Sequence, residues 1–232
     1  MKKTISYGST SAMQQVCLQI GKTIIQAVVN TQGVSVMAAF TAVNRVDDFA
    51  YIPQQNIGHA MTTFIAQNKG AGKKERIRRG FQSGIGIELV YGLILLVLMY
   101  FGAEKIMGLF TSQEDAQVVT LGKSYLHLVS WMYILPAITN GIQGFFRGMG
   151  DLKVTLYSTF MNMAGRVLAV IVMFLVFNLG FVSLAWANLI GWIVMLLFEI
   201  PLLMRQLKRA EKIKNKTALA RFFKIRYSKY KQ

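Results

Sequence analysis

Residues 83–103 read SGIGIELVYGLILLVLMYFGA, with Glu88 as the only charged side chain. A helix rises 1.5 Å per residue, so a run of this length crosses a hydrocarbon core of about 30 Å. Residues 154–177 and 184–204 have the same character. Across 232 residues, 53% are hydrophobic and 16% charged, with a mean hydropathy of +0.41. A water-soluble domain of this length has too little interior to hide such an apolar load. Cys17 is the one cysteine, which excludes an internal disulfide, and it reads as a small buried apolar residue. After Met1-Lys2-Lys3 the chain is polar over residues 4–10, where the apolar core of a leader peptide would begin, so no cleaved targeting segment is expected.

Just upstream of the first run lies IAQNKGAGKKERIRRG, residues 65–80. It is not a phosphate cradle. A P-loop needs Gly, four residues, then Gly-Lys-Ser/Thr, but Gly72-Lys73 is followed by Lys74 and the upstream glycine position holds Gln67. The net charge of +16 would suit a nucleic acid. That charge, however, falls in short blocks between apolar runs rather than over one basic face, and no nucleic-acid partner is expected.

Three wetter stretches, 11–30, 34–67 and 118–146, complete a set of six spans, and loop charge tests the count. With the N-terminus inside, the inside segments are the N-terminus, 68–80, 147–153 and everything from Arg205 onward; they hold 21 of the 26 Lys and Arg. The outside segments are 31–33, 104–117 and 178–183, which hold Lys105 beside Glu104, Glu114 and Asp115. This is the positive-inside pattern, and removing one weak span scrambles it. The expected fold is an all-α integral membrane protein, a bundle of six transmembrane helices over residues 1–206. A basic cytoplasmic tail follows over 207–232, both termini are cytoplasmic, and the host is a plasma (bacterial inner) membrane. In the tail, Leu219, Phe222, Phe223, Tyr227 and Tyr230 fall near one helical face, with Arg221, Lys224, Ser228 and Lys231 opposite, which predicts an amphipathic helix on anionic headgroups.

Two spans carry polar stripes. In the first, Gln15, Gln19, Lys22, Gln26 and Asn30 are spaced 4, 3, 4 and 4, which puts them on one helical face. In the second, Asn44, Asp48, Tyr51, Gln55 and His59 repeat that spacing. The fourth span adds Asn140, Gln143 and Arg147; the fifth adds Thr155, Ser158 or Thr159, Asn162 and Arg166. Lipid offers no hydrogen bonds, so such faces look at protein or water. Helix–helix glue takes one or two polar residues per helix; five in register on consecutive helices predict a shared hydrated pathway. Among single residues, Arg45 and Asp48 are placed for a local ion pair. Glu88 is expected to snorkel to the cytoplasmic surface, Glu199 to be interfacial, and Pro53 and Pro136 to kink their helices. His59 reads equally as a proton carrier or a hydrogen-bonded interior histidine. No hydrolase motif is present, and the two histidines lie on separate helices, a poor metal site. The chain reads as a non-enzyme without a bound cofactor or metal.

The stretches VNTQGVSVMAAFTAVNRVDD (29–48), GHAMTTFIAQNKGAGKKERIRRG (58–80), LFTSQEDAQ (109–117) and GFFRGMGDLKVT (144–155) together resemble the multidrug and toxic compound extrusion (MATE) transporters, in particular their carboxy-terminal lobe. The resemblance covers roughly residues 8–205. It implies the seventh to twelfth helices of a two-lobed antiporter that exports small cationic or amphipathic compounds in exchange for sodium ions or protons. It further implies a second six-helix lobe, on a separate chain or a second copy, and contact with membrane lipids. Many members have G-x-P entering this lobe, where this chain has Gly8-Ser9-Thr10; some place a cation-binding carboxylate in the lobe's first helix, where this chain has Gln, Asn and Lys22. The substrate and ion pathway is expected along Gln15, Gln19, Lys22, Gln26, Asn30, Asn44, Asp48, Gln55, His59 and Arg166. Two other readings stand beside export: a lipid-linked sugar flippase of similar architecture, favoured by Lys22, Arg45, Arg147 and Arg166 but tempered by Asp47, Asp48 and Asp151, and an inactive membrane fragment.

Overall fold

A computed structural model describes residues 2–110, 116–177 and 179–229; the side chains of residues 2–4, 175 and 209–229 are outside that description. Six helical rods run back and forth in chain order. They are α1 (Lys2–Asn30), α2 (Val34–Gly70), α3 (Lys74–Phe110), the pair α4 (Ala116–Ser130) and α5 (Ile134–Gly148), α6 (Leu152–Ile171) and α7 (Ser183–Lys229). A 3-10 turn, Trp131–Tyr133, joins α4 to α5 just before Pro136, and a π-helical turn, Val172–Val176, extends α6. No strand occurs among the described residues. Three rods are long and apolar enough to cross a membrane by length and composition: Lys74–Phe110, Leu152–Phe174 and Ser183–Lys208. About three quarters of each apolar window is exposed or only half-buried, with side chains such as Phe101, Leu168 and Leu197 on the surface. That inverted distribution suits a lipid solvent.

The loops set the alternation. After α2 the backbone N–H groups of Ala71, Gly72 and Lys73 bond back to Gln67, Lys69 and Asn68. This tight stop needs a left-handed residue, supplied by Gly72 at φ 68°. Glu75 in the first turn of α3 then pairs with Arg78 and Arg79 at 3.9 and 3.6 Å. Lys69 donates to the carbonyl of Met149, which brings the 68–80 and 147–153 loops to one end of the bundle, and Tyr7 of α1 comes up to Gly150 there. At the other end Lys123 of α4 pairs with Glu104 of α3 at 2.6 Å. Glu114 and Asp115, expected on the outside, lie outside the described residues, as does the side-chain division expected for the tail, whose backbone continues α7 without a break to Lys229.

Packing divides the rods into two groups. α6 lies between α1 and α7, while α2 lies between α3 and α5. α1 and α2 touch each other only thinly, so a groove remains between them. The α2–α5 seam is backbone against backbone. A Cβ added to Gly144 would lie 2.6 Å from the Gly58 carbonyl oxygen, and Thr62 Oγ1 donates to the Gly144 carbonyl at 3.2 Å. Small residues let membrane helices approach this closely, where dispersion and polar contacts replace the hydrophobic drive. One apolar core includes Ile25, Phe40, Val43, Leu126 and Phe174. A second, including Met61, Ile65, Phe81 and Phe146, packs beside the seam.

Candidate functional site: an open polar groove and a buried polar interior

The α1 stripe points away from the bundle. Gln15, Gln19, Lys22 and Asn30 are exposed and Gln26 is half-buried, while the inward face of the same helix is built from Gln14, Gly21, Ile25 and Val29. On α2, Asp48, Gln55 and His59 are exposed, and Asn44 and Tyr51 are half-buried. Lys22 Nζ lies 3.6 Å from Asp48 Oδ1 and so ties the two stripes together across the groove. Gln26 Nε2 donates to Asn30 Oδ1 at 2.7 Å. Above them an open cleft of about 510 Å³ is lined by Gln26, Asn30, Thr41, Arg45, Met37 and Phe110. The expected Arg45–Asp48 pair does not form: Asp48 takes Lys22 from the neighbouring helix, and Arg45 turns into the cleft. On the other flank of α1, Met13, Val16, Ile20 and Ile24 form an apolar trough with Phe160 of α6. α1 is therefore polar toward α2 and greasy toward α6.

The polar residues of the later spans behave differently. Gln14 Nε2 donates to Thr159 Oγ1 at 2.7 Å and Gln143 Oε1 at 3.3 Å; Gln143 Nε2 donates to Ser158 Oγ at 3.3 Å; Arg147 donates to Gln143 Oε1 at 2.7 Å. This closed network lies inside the lobe between α1, α5 and α6, and it is helix–helix glue of the kind that membrane interfaces use. Arg166, placed in the pathway from the sequence, is half-buried on α6, and its charge acts on the buried Asp47 without an ion pair between them.

Asp47 is the neighbour of Asp48 but faces the other way. It is 5% exposed and accepts hydrogen bonds from Tyr133 (2.6 Å) and Tyr125 (3.1 Å), and Asn188 of α7 donates to Tyr125 Oη at 2.8 Å. With the charge of Arg166 acting on it as well, this carboxylate is compensated from three helical segments, α4, the 3-10 turn and α6.

Glu88 and Glu199 correct the sequence reading. Glu88 does not snorkel and Glu199 does not reach the protein surface: both are 0% exposed, and no carboxyl oxygen of either has a hydrogen bond of ordinary geometry among the described residues. Glu199 still has Ser158, Gln143 and Arg147 around it. Glu88 has no such company. Its position was readable: Phe81, Gly84, Glu88, Gly92, Leu95 and Met99 are spaced 3, 4, 4, 3 and 4, and this is the buried face of α3. No three His, Cys, Asp or Glu side chains converge on a metal-sized site among the described residues.

A MatE family model matches residues 11–168. Similar curated proteins include the "Probable multidrug resistance protein YoeA" of Bacillus subtilis, 24% identical over 62% of this chain and 31% of that protein. YpnP of the same organism is 26% identical over 66% and 34% of the two chains, and NorM of Bacillus anthracis 29% identical over 53% and 27%. The match thus spans about a third of the length of these relatives. Among solved structures, an outward-facing multidrug resistance MATE family transporter superposes with a TM-score of 0.80 at 17% identity, over 85% of this chain and 43% of the other. A MATE structure in complex with MaL6 superposes at 0.81 and 20% identity, over 88% and 46%. These similarities establish one half of that fold.

Proposed function

The chain belongs to the MatE family, and from that premise we propose that it is the carboxy-terminal-type lobe of an antiporter that exports small cationic or amphipathic compounds against sodium ions or protons. The observation that carries this reading is the groove between α1 and α2. It is lined by polar side chains that the lobe's own helices do not cover, and Lys22 and Asp48 meet across it. Insertion scales put a Lys or Asp at mid-membrane at about 2.5–3.5 kcal/mol, so leaving this face to lipid is costly. A second six-helix lobe, on a separate chain or a second copy, completes the cavity. Alternating access then follows from one lobe rocking against the other. The lobe lies in the bacterial inner membrane with both termini cytoplasmic, residues 1–206 form its membrane domain, and the basic tail rests on anionic lipid.

Electrostatics favour cations over the pyrophosphate of a lipid-linked sugar. Lys22 has Asp48 beside it, and Arg166 and Arg147 feel the charges of Asp47 and Glu199, which leaves Arg45 as the cation of the cleft without an ion pair among the described residues, little positive potential for a polyanionic headgroup. The test is efflux of a fluorescent cation from cells making this chain alone, and then together with an amino-terminal-type MATE lobe. Gradient-dependent efflux in the second case, reduced by Asp48→Asn, supports the proposal. No efflux with any matching lobe makes the chain an inactive fragment. Movement of a lipid-linked sugar instead makes it a flippase.

A further inference from the structure

Glu88 lies in the seam between α2, α3 and α5. Three contacts fix the register there. Tyr91 Oη donates to the Ala50 carbonyl at 3.3 Å, and a Cβ on Gly84 would meet Met61 Sδ at 2.3 Å. A Cβ on Gly92, one turn beyond Glu88, would lie 3.4 Å from the Tyr133 carbonyl oxygen. α2 and α3 are antiparallel, so residue 88 sits across from the turn that holds Gln54. Gln54 is 0% exposed; its Nε2 donates to that same Tyr133 carbonyl at 3.3 Å, and its Oε1 has no partner among the described residues.

Two fully buried side chains on facing helices thus present three unpartnered oxygens, two from Glu88 and one from Gln54. All three are acceptors when Glu88 is ionised; the Tyr51 hydroxyl, about one turn before Gln54 on α2, is also buried and unpartnered but bonds to none of them. A buried charge without a partner is far costlier than a buried neutral group that is hydrogen-bonded. Asp48 pairs with Lys22, and Asp47 and Glu199 feel the charges of Arg166 and Arg147; among the described residues no cation acts on Glu88. The seam is also where regular helix fails. The 3-10 turn Trp131–Tyr133 and Pro136 interrupt the α4–α5 rod, and Pro53 precedes Gln54 on α2. A proline removes one backbone donor, so the backbone here adds acceptors rather than donors.

We propose that Glu88 holds an exchangeable proton in this seam. The protonated carboxyl donates its O–H to Gln54 Oε1, which turns one of three orphan acceptors into a donor. Binding is the addition of one proton from water to the carboxylate, and release is its return; no other bond changes. The titratable groups around it are Tyr91 on its own helix, Tyr51 from α2 and Tyr133 from the 3-10 turn, whose hydroxyl is held by Asp47. α5 brings no titratable side chain before Arg147, and His127 of α4 stacks on Tyr100, about three turns away along α3. As the coupling site of an antiporter Glu88 rests on the transport reading above; as a proton-binding group it stands without it.

Infrared spectra of the full chain in lipid nanodiscs, wild type minus Glu88→Gln, test the proposal directly. A protonated carboxylic acid C=O band, present at neutral pH without sodium, shifted in D₂O and lost at alkaline pH, is the expected result. A carboxylate signature at neutral pH overturns it. So does a C=O band that sodium replaces at constant pH, because the site then binds sodium rather than a proton. Gln54→Leu is expected to weaken proton binding about fivefold, the weight of one hydrogen bond of about 1 kcal/mol, so that the band is lost at a lower pH than in the wild type. Should Glu88→Gln not fold, the wild type alone decides: dicyclohexylcarbodiimide modifies protonated carboxyls in apolar surroundings, and mapping by mass spectrometry reads Glu88 by itself. Sodium-independent modification supports the proposal and sodium protection overturns it. Failure of efflux leaves these readings untouched, and an ionised Glu88 leaves the antiporter reading standing.

Discussion

Asp47 and Asp48 are adjacent in sequence and occupy opposite worlds. Asp47 is clamped by two tyrosine hydroxyls inside the bundle, while Asp48 meets Lys22 across an open groove with more than half of each side chain exposed. One α2 turn therefore carries both the polar glue of the lobe and the polar lining of an open groove. A carboxylate within a membrane helix has no single meaning: what faces it decides. An interior acid with fixed donors holds helices together, whereas an acid on an uncovered face is available to something else.

The contrast can be broken first at the seam that supports the interior side. Gly144→Val drives a side chain into the Gly58 carbonyl and is expected to cost about 3 kcal/mol or more, near the upper end for overpacking. Gly8→Ala, with nothing within 4 Å, is expected to be neutral. The fraction of monodisperse protein in mild detergent and its resistance to SDS unfolding measure both.

Next comes the interior acid. Tyr133→Phe removes a hydrogen bond to a buried carboxylate, worth about 1.5–3 kcal/mol. A double-mutant cycle with Asp47→Asn in the same unfolding assay is expected to show strong coupling. Additivity would mean that Asp47 is held by something other than its tyrosines.

The groove side is expected to respond in reverse order, with little stability at stake and much function. Lys22→Ala and Asp48→Asn each change lobe stability by about 0–1 kcal/mol, as solvent-reached ion pairs do. Single cysteines at Gln19 and Asp48 are expected to react with small aqueous thiol reagents in a Cys17→Ser background. A cysteine at Val29 or Val43, both fully buried, is expected not to react. Equal reactivity of the two sets would erase the distinction between groove and interior.

The smallest effect belongs to the outer end. The Lys123 ammonium donates to Glu104 and holds its carboxyl below the usual glutamate range. Because the folded value is lowered, the stabilisation is present above the ordinary glutamate pKa of about 4.3 and is lost as pH falls through the lowered value. An NMR titration of Glu104 is expected to return to the ordinary range in Lys123→Gln.

The sequence disclosed the six rods because hydropathy and loop charge are properties of long windows, averaged over many residues. It disclosed the two stripes because 4, 3, 4, 4 spacing is a property of one helix. It could not say which neighbour covers which face, and that is where the reading failed. Gln143, Ser158 and Thr159 look like a stripe equivalent to the first two until α1 brings Gln14 against them. Asp47 reads as a twin of Asp48 until Tyr125 and Tyr133 arrive from residues far along the chain. Glu88 was the recoverable error. A glutamate flanked by Gly84 and Gly92 at helical spacing marks a face that packs tightly, and a packed face cannot snorkel.

The glycine seam between α2 and α5 has a mechanical consequence. Where Gly58 and Gly144 meet, no side chains interdigitate, so there are no alternative rotamers through which one helix could ratchet past the other. The two rods form a single stiff spar, with the Thr62 hydroxyl shared between the Gly58 carbonyl of its own helix and the Gly144 carbonyl across the seam. Compliance has to be found elsewhere, and the thin α1–α2 contact is the softest joint along α2. Any bending of this lobe would then open or close the groove at Lys22 and Asp48 while the spar keeps its shape.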